Sequence, residues 1–306
     1  MWLSTVGCDP PGLGRSNPNF HVVGHHGAPN LAPENTINSF DAAVAVGANS
    51  IEPDFCITKD GFIVAIHDCD PDSSIALARQ SGGEGFAWVP YVPAVGSPWR
   101  RPVNQLTLTE LRSYYGYRLA EGTRDYDAQI PTLSEVLTWC SRETRLRALY
   151  FDLKFAPGEV DAALRLMREL WQAWQTDPSL QNLQFYLLNV HGEVIDALKA
   201  ERAALALGAD PLRIVLDLEK PGALSATTAA GLRDVSVGLT PAFTWSGYKR
   251  EIAHIVEARE DGTIDSVLAW TFDREMQLAE LLYYSVDGII TNDPSTLHRM
   301  WKQTLE

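Results

Sequence analysis

Along most of the chain, short runs rich in β-branched and apolar residues alternate with longer stretches whose apolar positions recur every three to four residues. Side chains alternate faces along a strand and return to one helix face about every 3.6 residues, so the two patterns tell strand from helix. The strand pattern falls on residues 21–24, 50–55 (with an arm at 62–67), 148–153, 184–190, 213–218, 235–239, 267–272 and 287–291. The helical pattern falls on residues 34–46, 133–141, 158–174, 192–207, 223–234, 249–258, 274–284 and 295–304. This alternation predicts an α/β protein, a single (β/α)8 TIM barrel with parallel strands inside and helices outside.

Local punctuation agrees. Thr132 with Glu135 three residues on is a capping-box pattern at the start of a helix. Gly47 follows the first helical stretch, where a C-terminal glycine is expected. One region breaks the rhythm, an insertion of about residues 70–128 after the second strand. There Phe86, Trp88, Tyr91 and Trp99 sit among glycines and prolines, which predicts a loop excursion over the barrel mouth, with 108–115 helix-like. Its aromatic content argues against disorder. Two uses for those rings stay open: burying a lipid chain of a substrate, or packing on the rim as a lid that Gly82, Gly83 and Gly85 let move. With no internal repeat and no interdomain linker, residues 1–306 read as one domain.

Composition narrows the function. With 25 Lys and Arg against 39 Asp and Glu the formal net charge is −14, which argues against nucleic acid as a partner and against electrostatic docking on anionic membranes. No apolar run is long enough for a membrane span. The first twenty residues lack a basic segment followed by an apolar one, so they do not read as a signal peptide. Cys8, Cys56, Cys69 and Cys140 have no zinc spacing and read as free thiols of a reducing compartment. The expected location is therefore cytoplasmic, or secreted if a signal peptide was removed. Cys56 and Cys69 flank the segment richest in chemistry and could lie close in space; spacing does not decide whether they are bonded.

That segment carries His25-His26-Gly27, Pro33-Glu34-Asn35-Thr36, Glu52-Pro53-Asp54, Thr58-Lys59-Asp60-Gly61 and His67-Asp68. Glu52 and Asp54, two apart on a strand, point the same way and repel unless a cation lies between them. Asp152, in an otherwise apolar strand, needs a cation or several donors for the same reason. The three are candidate ligands for one divalent metal, Mg²⁺ or Ca²⁺, both of which take oxygen donors. Lys154, on the same face as Asp152, suits a phosphate; a purely internal Asp152–Lys154 pair is the plainer alternative. His25 and His67 are candidates for general acid–base or nucleophilic work. His25, Glu52, Asp54, Asp152 and Lys154, with Trp270 and Asn292 on later strands, fall at the C-terminal ends of barrel strands, where catalytic groups of this fold sit. His191 and His254 read as surface histidines.

In order and spacing these motifs resemble the glycerophosphodiester phosphodiesterase family, which reads His-Arg-Gly, Pro-Glu-Asn-Thr, Glu-x-Asp, Thr-Lys-Asp-Gly and His-Asp. Where that family has arginine this chain has His26, a candidate substrate contact that cannot reproduce the bidentate guanidinium clamp. Phe151-Asp152-Leu153-Lys154, Trp270-Thr271-Phe272-Asp273 and Thr291-Asn292-Asp293-Pro294 resemble the sphingomyelinase D family, whose metal is held by Glu, Asp and Asp. That resemblance implies substrate contacts at Trp270, Asp273 and Asn292; barrel packing, an N-cap and a turn are their plain alternatives. The spider-venom members carry a short disulfide in the catalytic loop that no cysteine pair here matches. The resemblances imply a metal-dependent hydrolase that cleaves glycerophosphodiesters, or lysophospholipids on the headgroup side, and releases an alcohol such as choline or ethanolamine. A sphingomyelinase D-like enzyme that forms a cyclic phosphate is the alternative. A non-catalytic binding barrel would need a broken site, yet both histidines and all three carboxylates are present.

Overall fold

The computed structural model describes residues 17–119, 122–205, 207 and 211–306. The lead-in with Cys8, and part of the stretch expected as a helix at 192–207, lie outside the described residues. Eight parallel strand positions close on one another: β1 (His21–His25), the broken pair β2 (Ser50–Glu52) and β3 (Asp54–Ile57), then, after the short β4 (Ile63–Ala65) and the insertion strands β5 (Trp88–Tyr91), β6 (Gly116–Leu119) and β7 (Arg124–Asp125), β8 (Ala148–Leu153), β9 (Gln184–Asn189), β10 (Leu212–Leu218), β11 (Asp234–Gly238), β12 (Ser266–Trp270) and β13 (Gly288–Thr291). β13 pairs with β1 and β2 with β8, so the barrel has no free edge.

The strand bounds fall within two residues of the apolar runs. All of β13 and all of β9 but its first residue are buried, as expected for strands covered on both faces. Tyr150 and Tyr186 stack in the barrel interior with ring centroids 4.4 Å apart. The outer helices are α1 (Ile37–Ala45), then α2 (Ser74–Gln80) and α3 (Leu108–Tyr114) in the insertion, α4 (Leu133–Cys140), α5 (Val160–Thr176), α6 (Gly192–Ala204), α7 (Ala223–Ala229), α8 (Trp245–Glu260), α9 (Glu275–Tyr283) and α10 (Pro294–Gln303). The expected capping box is present at Thr132 and Glu135 of α4, and Gly47 closes α1 at φ 112°.

Two expectations change. The insertion is not a loop: β5, β6 and β7 form an antiparallel sheet with its own apolar core around Val103, Leu111, Tyr115 and Tyr117. Such short strands, with Pro90 on the edge strand β5, give no periodicity to detect. Its rings serve that small core. Trp99 stacks on Tyr114 at 4.5 Å, Trp88 Nε1 donates to Asp125, and the Arg124 guanidinium lies over Tyr91. The free-thiol reading also fails for two cysteines. β4 folds back antiparallel on β3, bringing Cys69 to Cys56 with a Cα–Cα separation of 5.7 Å, and the two form a disulfide. Cys140 is free and buried.

Candidate active site

Strand register gathers the chemistry at one end of the barrel. His25 pairs in register with Glu52, and Asp54 with Asp152. Pro53 divides β2 from β3, yet Glu52, Asp54 and Asp152 still bring carboxylate oxygens within 4.8 Å of one another. Glu52 and Asp152 line a cavity of about 500 Å³, with His25, His67, Lys154 and Trp270 among its other lining residues, and Asp54 is fully buried behind them.

Each motif has a local task. Thr36 caps α1 by accepting from Ser39 N. Asn35 Nδ2 donates to Asp54 Oδ2 at 2.7 Å and its Oδ1 accepts from Asp54 N at 3.0 Å, which fixes that carboxylate. Asn35 holds φ 52° and His26 φ 51°, a left-handed backbone that costs on the order of 1 kcal/mol or more outside glycine. At Gly27, φ is 94° and a Cβ would fall 2.6 Å from the Ser39 backbone. The strain buys direction: it turns His26 inward, between Asp54 (Nε2 to Oδ2, 2.9 Å) and Glu34 (Nδ1 to Oε2, 3.1 Å). His26 is 2% exposed and does not line the cavity, so the structure places it beneath the site rather than against a substrate.

His25 and His67 do face the cavity, and each is aimed by its Nδ1. Asn292 donates from Nδ2 to Asp273 Oδ2 at 2.8 Å, so its Oδ1 faces His25 Nδ1 at 2.7 Å and assigns the proton to that nitrogen. His67 Nδ1 lies 2.7 Å from Asp68 Oδ1. In both rings Nε2 is left for chemistry. Asp273 and Asn292 thus stand behind His25, and neither lines the cavity. Trp270 does line it, with Nε1 donating to Asp217 Oδ1 at 2.7 Å. Lys154 Nζ pairs with Asp152 and lies 3.0 Å from Asp54 Oδ1.

Charge follows from these contacts. Burial resists a charge on His26, but Asp54 and Glu34 outweigh it and raise its pKa well above the usual histidine value. Burial, then the adjacent His26, lower that of His25. Burial also resists the Asp54 carboxylate, yet His26 and Lys154 hold its pKa well below the ordinary range. Burial, then the Asp54 charge, push Glu52 well above it. A divalent cation between the carboxylates would remove that repulsion. The donor set fits such an ion: three hard oxygens converge, and Asp54 Oδ1 accepts no well-aligned hydrogen bond despite Lys154 nearby. Two other convergent trios include His26, whose ring nitrogens are already committed to Glu34 and Asp54.

Sequence reasoning passed over several participants. Glu34, Asn35 and Asp68 were visible as motif members but carried no role. Asp217 ends the apolar run Ile214-Val215-Leu216 on β10 just as Asp152 ends β8, so the same strand-end rule would have found it. It is 7% exposed, accepts from Ser236 Oγ and Trp270 Nε1, and lines the cavity, and burial raises its pKa to about 7. Arg79 had no signal at all, and His191, read as a surface residue, is exposed on the cavity rim.

Known proteins agree with this geometry. The glycerophosphoryl diester phosphodiesterase family matches residues 25–172, and the family described as dermonecrotic toxin SPH matches residues 234–305. A glycerophosphodiester phosphodiesterase of Caldanaerobacter subterraneus subsp. tengcongensis is 26% identical over 278 residues, 90% of this chain and 95% of that protein. The glycerophosphodiester phosphodiesterase structure from Agrobacterium tumefaciens has a TM-score of 0.60 at 20% identity, covering 90% of this chain and 98% of its own. A phosphodiesterase from Oleispira antarctica, in complex with the product sn-glycerol-3-phosphate, gives 0.64 at 18% identity, covering 92% and 95%. At such identities the solved structures speak for the barrel, and the family and sequence matches for the chemistry. Together with the paired histidines and the carboxylate trio at the barrel mouth, they make the chain an enzyme, a phosphoric diester hydrolase similar to the glycerophosphodiester phosphodiesterases, whose last quarter is similar to the dermonecrotic toxin SPH family.

Proposed function

We propose that the enzyme cleaves glycerophosphodiesters, or lysophospholipids on the headgroup side, and releases a cationic alcohol such as choline or ethanolamine. The observation that carries this is the cavity, lined by Lys154, by the carboxylates Glu52 and Asp152 and by the two aimed histidines His25 and His67. Glu52, Asp54 and Asp152 would hold one divalent cation, Mg²⁺ or Ca²⁺, which when bound polarises the phosphoryl oxygens. Lys154 adds a positive charge for the phosphate. Nε2 of His25 and of His67 would handle the nucleophile and the leaving-group proton. Glu219, with the Trp270 ring beside it on the cavity wall, favours an ammonium on the departing alcohol.

A second reading, attack by a neighbouring substrate hydroxyl to give a cyclic phosphate, is favoured by the SPH match and by Asp152 as the third carboxylate. Nothing from Phe86, Trp88, Tyr91 or Trp99 lines the cavity, so the acyl-chain role once open to them is not proposed. The chain would act as one barrel unit with its insertion. Its Cys56–Cys69 bridge favours an oxidising compartment over the cytoplasm.

Phosphorus NMR of glycerophosphocholine, glycerophosphoethanolamine, lysophosphatidylcholine and sphingomyelin digests tests both readings. EDTA should abolish turnover and Mg²⁺ or Ca²⁺ restore it, while His25→Ala and His67→Ala each lower kcat by at least about 10²-fold. Full activity in metal-free enzyme would sink the metal assignment, and no cleavage of any diester would sink the function.

A further inference from the structure

Arg79 is carried by α2 of the insertion, outside the barrel, and is only 4% exposed. Its fork reaches three carboxylates, two of them buried: Nε donates to Asp68 Oδ2 at 3.2 Å, and an Nη donates to Glu34 Oε1. Each of these two uses its other oxygen on a histidine. Asp68 Oδ1 holds His67 Nδ1, and Glu34 Oε2 holds His26 Nδ1. The remaining Nη reaches Glu84 Oε1 at 2.6 Å, near the surface, where no histidine is involved. The guanidinium lines no part of the cavity, so it cannot serve as a phosphate clamp.

From this geometry we infer that Arg79 is a positioning residue: the insertion completes the active site by locking the carboxylates that aim His67 and seat His26. Only a planar fork spans both acids at once, since an ammonium is a point charge. Without it, Glu34 and Asp68 become two buried carboxylates with no shared cation, a costly arrangement that separation would relieve. Separation draws Asp68 from His67 and Glu34 from His26, and His26 in turn bears on Asp54 through Nε2. The insertion is therefore part of the catalytic apparatus, although its aromatic residues are not.

The inference rests on the phosphodiesterase reading for its kinetic arm but not for its spectroscopic one. Arg79→Met should lower kcat by about 10- to 100-fold, the scale of lost outer-layer support, with KM within about threefold. Arg79→Lys should recover part of kcat, and Glu84→Gln, which removes only the surface partner, should stay near wild type. Nitrogen-15 histidine NMR of the full chain should show His67 protonated at Nδ1 in the wild type and a mixture of tautomers in Arg79→Met. If the wild type cleaves no phosphodiester, the proposed function fails and this NMR comparison alone decides for Arg79. Unchanged kcat with an unchanged His67 tautomer in Arg79→Met would overturn the inference. So would a Glu84→Gln loss as large as that of Arg79→Met, because the arginine would then be acting as a surface anchor for α2. If Arg79→Met does not fold, the same readouts on Arg79→Lys decide, and a wild-type kcat and tautomer there overturn the two-acid fork.

Discussion

Asp273, Asn292 and His25 form a single line of hydrogen bonds, and each link sets the direction of the next. Resemblance had suggested substrate contacts at Asp273 and Asn292. A motif records which residues recur at a spacing; it does not record which way their side chains face. Asn292→Ala should therefore lower kcat by about 10- to 100-fold with KM little changed, as expected when an orienting partner is removed. A rise in KM alone would return Asn292 to the substrate. Asp217 makes a separate prediction. Burial lifts its folded pKa from 3.8 to about 7. Between those values the folded protein keeps a proton that the unfolded chain has released, so stability falls as pH rises through this window. Below about pH 4 both states are neutral and the penalty vanishes. Asp217→Asn keeps an oxygen for Ser236 and Trp270, so it should raise Tm at pH 8 and leave it nearly unchanged at pH 4. A uniform shift at both pH values would show that the carboxylate charge is not what burial opposes.

At the level of elements, the barrel was readable, as was the helix expected at 108–115, which is α3; the strands of the insertion were not. A strand covered on both faces must be apolar along most of its length, as Ala148 to Phe151 on β8 are, and an amphipathic helix must follow it; both leave long signals. β5 and β6 span four residues each and β7 two, too short for any period. Their partners were found by folding, not by spacing, and so was the disulfide. That bridge ties β3 to the residue after Asp68, beside the support of His67. Closing a loop of this length contributes about 3 kcal/mol in the chain-entropy account. Cys69→Ser should therefore lower Tm and also kcat at temperatures where the protein is still folded. A fall in Tm with kcat unchanged would confine the bridge to stability.

For the molecule as a whole, the two ends of the barrel divide labour. Chemistry occupies the C-terminal ends of the strands, while the opposite end holds His21, with Nδ1 2.5 Å from Tyr150 OH, and the stacked tyrosines. Burial, then Arg147 and Arg213, lower the His21 pKa to about 4. Below its ordinary value of 6.5 the unfolded chain binds a proton that the folded one refuses, so stability is lost as pH falls from about 6.5 toward 4. His21→Gln should flatten that acid limb in chemical denaturation; an unchanged limb would assign it to other groups. No described helix is long and apolar enough to cross a membrane.

Barrel closure has a consequence in time. β1 pairs with β13, and His25 receives its orienting oxygen from a residue 267 positions later. A chain emerging from the ribosome holds every carboxylate of the trio and both histidines once Asp152 has been made, about halfway through the 306 residues. Until the last strand arrives, nothing holds His25 to its tautomer, and the barrel wall beside it stands open to water. Hydrolytic competence is thus among the last properties the growing polypeptide acquires, and nascent chains stalled before β13 should leave phosphodiesters intact.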